Sequence, residues 1–303
     1  MVKFLRPVAL IIALTIILAG CAGEPAGRSE GGKIKVCATT YPLYDFTKNI
    51  GGDRIEAFML LPPGAEPHHW EPAPGDIIKI GGSDVLVYNG AGLESWLENT
   101  LTQVDRNKTA VVDSSSGVDL IKGEDGEHGQ DPHIWLDPVS AQKMVDNILE
   151  GLVKADPANK DYYDANARKY KARLAELDSR YRAALSGAGI RQIVVSHDAF
   201  GYLTRRYGLE QISARGLSAD SEPSPARLAE IVALVREHHI KYIFYETLVS
   251  PKVSETIARE AGVSTLVLNP VAGLSEKEMA GGEDYLKIME ENLENLKTAC
   301  EAR

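Results

Sequence analysis

The sequence predicts an α/β protein built as two α/β lobes, each a parallel sheet covered by helices, joined by a long helix. Three observations predict it. Short β-branched or aromatic runs alternate with helical patterns from residue 33 onward. The alternation occurs in both halves of the chain. Between the halves stands one long apolar stripe with helical spacing. Alternating strands and helices point to parallel sheets, because a parallel neighbour is reached only through a crossover that covers the sheet.

In the first half, the runs at 34–38, 55–61, 85–88 and 109–112 read as strands, with helix patterns near 43–50, 76–81 and 95–103. In the second half, strands are predicted at 192–195, 242–245 and 265–268, and helical spacing covers 226–238 and 252–261. Residues 139–154 place Met144, Val145, Ile148, Leu149, Leu152 and Val153 on one helical face. The segment DPANK breaks that helix and restarts it. Tyr163, Ala167, Tyr170, Leu174, Leu177, Tyr181 and Ala184 then recur at spacings of four and three. At 1.5 Å per residue, this helix over 161–187 spans roughly 40 Å. Gly187 is placed to cap it. The pattern fits a spacer joining the halves, or a helix lying along one of them; three heptads are short for a coiled coil.

The chain opens as an export signal does. Lys3 and Arg6 precede an apolar run over 8–19, broken by Thr15, and LAGC comes next at 18–21. The run is shorter than the ~20 residues of a membrane span. Its ending resembles a bacterial lipobox, which implies removal of residues 1–20 and a lipid on Cys21; an ordinary cleaved signal is the other reading. Residues 21–32, rich in Gly, Glu and Ser, read as a flexible tether. Anchor and tether together place the protein at a membrane surface outside the cytoplasm. The chain beyond the tether suits two domains of ordinary size, 33–160 and 188–303, about the helix 161–187. The net charge of −10 argues against nucleic acid and allows a cationic ligand. Export permits a disulfide between Cys37 and Cys300, and two buried thiols suit the sequence as well. No cysteine cluster has zinc-finger spacing.

Two segments, PPGAEPHHWEP at 62–72 and GEHGQDPHIWLDP at 126–138, each carry a Pro–His pair. His68, His133 and His197 are separated by 65 and 64 residues, so only the tertiary fold can gather them. His68 lies seven residues after the second predicted strand, and His197 comes directly after IVVS at a strand's carboxyl end. Open α/β sheets bind ligands beyond those ends. Pro67 and Pro132 restrict the backbone just before two of the three histidines. Neutral imidazole suits zinc at about 2.0–2.1 Å. Taken singly, each histidine is more often a surface or hydrogen-bonding residue; strand-end placement and the Pro–His turns favour a ligand.

In order and spacing, PPGAEPHHWEP, DPHIWLDP and VVSHDAFGYL resemble the metal-binding lipoproteins of bacterial ABC importers, the zinc-type members of the cluster A-I family. The resemblance runs through the long helix to LNPVAGLSEKEMAGGEDYLKIMEENLENL, essentially the whole mature chain. It implies two lobes joined by a rigid helix, and a monomer that holds a divalent metal ion between the lobes and delivers it to an ABC permease. It implies metal ligands at His68, His133 and His197, with His69 as a neighbour. Manganese-type members tend to carry glutamate at the third place, so His197 favours Zn2+, with Mn2+ the runner-up. The chain departs from the family at the fourth ligand. Relatives usually carry Asp or Glu near 267–273, where this chain reads VLNPVAG, with Asn269 and Ala272. The expectation is three histidines plus water, or a carboxylate recruited from elsewhere; the amide oxygen of Asn269 is a poor zinc donor. Of the His-rich loop that zinc-type relatives often carry, only His128 remains, a metal collector or a member of a solvated loop. His238 and His239 end a helix and read as structural. Asp198 and Glu246 are expected behind ligating imidazoles, or exposed. Trp70 and Trp135 either exclude water or pack the core.

Three histidines and an open position also describe a catalytic zinc site. No His-Glu-x-x-His motif occurs, and no base or oxyanion group stands out. Capture is therefore expected, not a zinc hydrolase. A surface adhesin on the same fold is a third class, compatible with anchorage. A stiff connecting helix predicts small lobe motions, and acid should weaken binding, because ligating imidazoles must be neutral.

Overall fold

Strands form where the apolar runs stand. A computed structural model describes residues 32–123, 129–219 and 221–302. The export signal, Cys21, the tether up to residue 31 and His128 lie outside the described residues. β1 (Ile34–Ala38), β2 (Ile55–Met59), β3 (Val85–Tyr88) and β4 (Ala110–Asp113) make a four-stranded parallel sheet in the order β2-β1-β3-β4. β5 (Gln192–Val195), β6 (Glu210–Ser213), β7 (Tyr242–Tyr245) and β8 (Ser264–Val267) repeat that order as β6-β5-β7-β8. The first strand of each half therefore sits beside the second and the third. β6 lies outside the sequence expectation. Its residues Glu210, Gln211, Ile212 and Ser213 include one apolar side chain. It is an edge strand held by its ladder to β5, not by a hydrophobic run of its own.

The helices that cover the first sheet are α1 (Tyr41–Gly51), α2 (Pro74–Gly81), α3 (Leu97–Leu101) and α4 (Pro138–Ala155). α5 (Lys160–Leu185) crosses to the second half, which holds α6 (Gly201–Tyr207), α7 (Pro225–Glu237), α8 (Lys252–Ala261), α9 (Glu276–Ala280) and α10 (Tyr285–Ala299). α1, α2, α4 and α7 each carry proline in the first turn, where no intrahelical N–H is lost. In α4, the Asp137 side chain accepts from Val139 N–H and caps the helix.

The stripe of α5 is buried at Tyr163, Ala167, Tyr170, Leu174, Leu177, Tyr181 and Leu185. It packs on α1 and α4 of the first lobe and on α6 and α10 of the second. The helix thus lies along both lobes, and its stripe joins the inner faces of both sheets in one core. Each of its large side chains gains about 1.5–3 kcal/mol from burial. Its tyrosine hydroxyls finish the docking: Tyr170 donates to Asp45 of α1 at 2.7 Å, and Tyr181 to the Met289 carbonyl of α10 at 2.5 Å. The expected glycine cap is absent. α5 ends through Ser186, which keeps right-handed φ, and Gly187 does not turn left-handed. Arg191 instead donates to the exposed Ser186 carbonyl.

Cys37, in β1, and Cys300, after α10, are buried free thiols in separate packing clusters, not a disulfide. Desolvation pushes Cys37 up to about 12 and Cys300 up to about 11. No helix among the described residues is long and apolar enough to cross a membrane.

Hydrogen bonds stitch the lobes together beside the strand ends. Trp135 Nε1 donates to Pro270 O at 2.7 Å, and Tyr285 donates to Trp135 O. Tyr202 donates to Asp131 O at 2.8 Å. Arg206 grips both oxygens of Asp137, at 2.9 and 2.6 Å.

Candidate metal centre

His68 stands in the loop that leaves β2, at the carboxyl edge of the first sheet. His197 stands two residues beyond β5, at the matching edge of the second. His133 begins the single 3-10 turn Ile134–Leu136 that leads into α4. The three are buried at 8%, 0% and 3% exposure. Their candidate ligand atoms all lie within 4.8 Å of one another. His68 Nε2 and His133 Nε2 are 3.1 Å apart, and His133 Nε2 and His197 Nε2 are 3.4 Å apart. Ligands at 2.0–2.1 Å from a tetrahedral ion are separated by about 3.3 Å. The two separations from His133 already have that spacing.

Two carboxylates decide which way the imidazoles face. Asp131 Oδ1 lies 2.8 Å from His133 Nδ1, and Glu246 Oε1 lies 2.7 Å from His197 Nδ1. A carboxylate in its ionised form only accepts, so it holds the proton of its imidazole at Nδ1 and, in the neutral ring, leaves the Nε2 lone pair for a ligand. With both rings neutral, two lone pairs face each other across 3.4 Å, a spacing that a cation between them satisfies. Burial, and then the nearby His197, hold His133 well below the ordinary imidazole range. Burial alone would lower His197 too, but the charge and hydrogen bond of Glu246 outweigh it and raise it. Burial pushes the Asp131 carboxyl up to about 7.

The backbone around His133 is pinned as well. Asn89 Nδ2 donates to Pro132 O at 2.9 Å. The partly buried Glu94 fixes that corner by accepting from Asn89 N–H, Gly90 N–H and the Thr39 hydroxyl. Desolvation raises its carboxyl. Sequence reasoning missed Asp131, Asn89 and Glu94. Asp131 had a legible signal, an acid two residues before a Pro–His histidine; Asn89 and Glu94 had none.

The other expected residues separate cleanly. Glu246 takes its anticipated place behind His197. Asp198 does not bond the ring; its N–H donates to Gly216 O, and its charge helps to raise His197. His69 reaches across to Ser218 Oγ at 2.8 Å. His238 caps α7, and His239 has left-handed φ. Asn269 is consumed elsewhere: its amide donates to Thr247 and Glu278, and its oxygen accepts from Val271 N–H. It is therefore no ligand. Trp135 is fully buried, with its ring 5.4 Å from that of His133, whereas Trp70 packs edge-on against Trp96 at 5.8 Å.

Comparison with known proteins decides the family. A family profile described as "Zinc-uptake complex component A periplasmic" matches residues 36–299. The chain belongs to this family. The high-affinity zinc uptake system protein ZnuA of Bacillus subtilis is 40% identical over 303 residues, covering 95% of each chain. The zinc-binding protein AdcA of Streptococcus pyogenes serotype M1 is 40% identical over 88% of this chain; this chain spans only 56% of that longer protein. The Zn(II)-bound ZnuA-like domain of Streptococcus pneumoniae AdcA superposes with a TM-score of 0.80 at 39% identity, covering 89% of this chain and 99% of that one. The laminin-binding protein Lmb of Streptococcus agalactiae, titled a bifunctional protein with adhesin and metal transporting activity, superposes with a TM-score of 0.81 at 32% identity, over 89% of this chain and 100% of its own.

Proposed function

We propose that His68, His133 and His197 bind one Zn2+ between the lobes. The protein is an extracytoplasmic zinc-binding component of an ABC uptake system, and its work is capture, not catalysis. The observation that carries the site assignment is the pair of carboxylate-backed imidazoles whose lone pairs converge with His68 at tetrahedral spacing. Neutral imidazoles suit zinc chemically, and each proton-bearing Nδ1 is held by a carboxylate, which raises ligand basicity. The zinc-uptake names of the relatives and the zinc-bound AdcA domain support the choice of metal.

The finer organisation is part of the same reading. Residues 1–20 are the export signal, Cys21 carries the lipid, and 21–32 tether a monomer to the membrane. The lobes are 33–160 and 188–303, and the helix 161–187 is the strut between them. Interlobe bonds at Trp135, Tyr202 and Arg206 favour small motions during loading and release.

Calorimetry of the purified protein beside a His133→Ala variant tests the site. One-to-one zinc binding by the parent, weakened at least about a hundredfold in the variant, is expected, since even outer carboxylates are worth about 10–100-fold. Equal binding by both would overturn the assignment.

A further inference from the structure

Three imidazoles leave one corner of a tetrahedral ion open. Resting on the zinc reading above, we infer that Glu66 closes that corner as a fourth ligand. Glu66 Oε1 lies 3.8 Å from His68 Nε2, the atom that also faces His133 at 3.1 Å. The other oxygen, Oε2, accepts from His68 N–H at 2.9 Å. The carboxylate is therefore tied to the backbone of one ligand and held beside the Nε2 edge of its ring. It is mostly buried, at 19% exposure. The carboxylate stands outside the group that the three imidazole nitrogens form within 4.8 Å of one another, so closing on a shared ion asks the glutamate side chain to swing inward.

The neighbouring groups are committed elsewhere. Asp131 and Glu246 hold Nδ1 atoms on the far side of their rings. The amide of Asn269 is fully bonded. Ala272 has no donor atom. Glu278 accepts from Asn269 and caps α9 through Ser275. Charge argues the same way. A buried dication held by three neutral imidazoles keeps its full charge, and an anionic oxygen in contact halves it. A closed set of four protein ligands also leaves no water on the metal to be activated, which suits a carrier and not a hydrolase.

Glu66→Gln and Glu66→Asp test the inference beside the parent and His133→Ala. Glu66→Asp keeps the acid and the turn, as Asp131 does before His133, but removes a methylene of reach. Each protein is titrated with Zn2+ against a competing chelator, and its Co2+ form is recorded by visible absorption, whose ligand-field bands report the donor set. Circular dichroism checks the fold. Both Glu66 variants should stay folded, bind zinc at least about tenfold more weakly, and show altered Co2+ bands as water replaces carboxylate. Unchanged bands in both folded variants would overturn the inference, whether or not affinity falls, because a turn-forming acid alone would leave the donor set intact. Zinc binding that His133→Ala leaves untouched would instead sink the histidine assignment.

Discussion

Two segments of this protein share one local plan and use it differently. Glu66-Pro67-His68-His69-Trp70 and Asp131-Pro132-His133-Ile134-Trp135 both place an acid, a proline, a histidine and a tryptophan in the same order. In both, the histidine N–H donates to the acid side chain at 2.9 Å, so the turns match. The acids then diverge. The short Asp131 carboxylate curls behind its ring to Nδ1, whereas the longer Glu66 carboxylate reaches past its ring toward Nε2. One methylene separates a group that orients a ligand from a group placed to be one. The tryptophans diverge too: Trp135 is sealed in the shared core, and Trp70 joins the outer cluster of the first lobe.

The largest way to break this comparison is at the tryptophans. Trp135→Ala should destabilise the protein by about 3–5 kcal/mol, because it empties a fully buried site and orphans Pro270 O. Trp70→Ala should cost clearly less, because that ring is only partly buried. Denaturant unfolding of both variants decides it, and equal losses would mean that the two segments are packed alike.

Next come the carboxylates behind the rings. Asp131→Asn and Glu246→Gln should each weaken zinc binding by about 10–100-fold. They should differ in acid. Zinc competes with protons for His197, whose pKa stands above the ordinary 6.5 because of Glu246. Parent affinity should therefore begin to fall at a higher pH than an ordinary imidazole would set, by about tenfold per pH unit below that pKa. Removing the Glu246 charge lets burial dominate and lowers His197, so the onset of acid weakening should move to lower pH in Glu246→Gln. Zinc titrations across the neutral and acid range would show the shift; an onset that stays put would mean that Glu246 does not set the charge of His197.

The smallest effect belongs to the prolines. Pro67→Ala and Pro132→Ala free the unfolded chain and should each cost about 0.4–1 kcal/mol in thermal unfolding. A much larger loss at either would reveal a strained turn that the shared plan does not contain.

Much of the fold and the site is legible in the sequence, for identifiable reasons. The α5 stripe can be read because seven apolar positions at spacings of three and four have one regular solution, and Tyr163 through Tyr181 are all buried as that pattern requires. β6 cannot, because Glu210–Ser213 has no periodic apolar signal and forms only against β5. The expected cap at Gly187 rests on local preference and loses to a tertiary partner, Arg191. The three histidines are nameable from their Pro–His turns and strand-end setting, supported by the family resemblance. The commitment of Asn269 to other partners is not, because Thr247 and Glu278 are remote from it in sequence.

By itself, then, the sequence determined what depends on neighbours along the chain: strand and helix periodicity, the proline-stiffened turns, and the identity of the donor atoms. Only the tertiary structure decided which nitrogens face one another, which carboxylate stands behind a ring and which in front, and that the thiols stay apart. The reason is one of range. Periodicity and backbone restriction act within a few residues, whereas the 3.1 and 3.4 Å approaches of histidines 65 and 64 residues apart exist only once two sheets pack against a common helix.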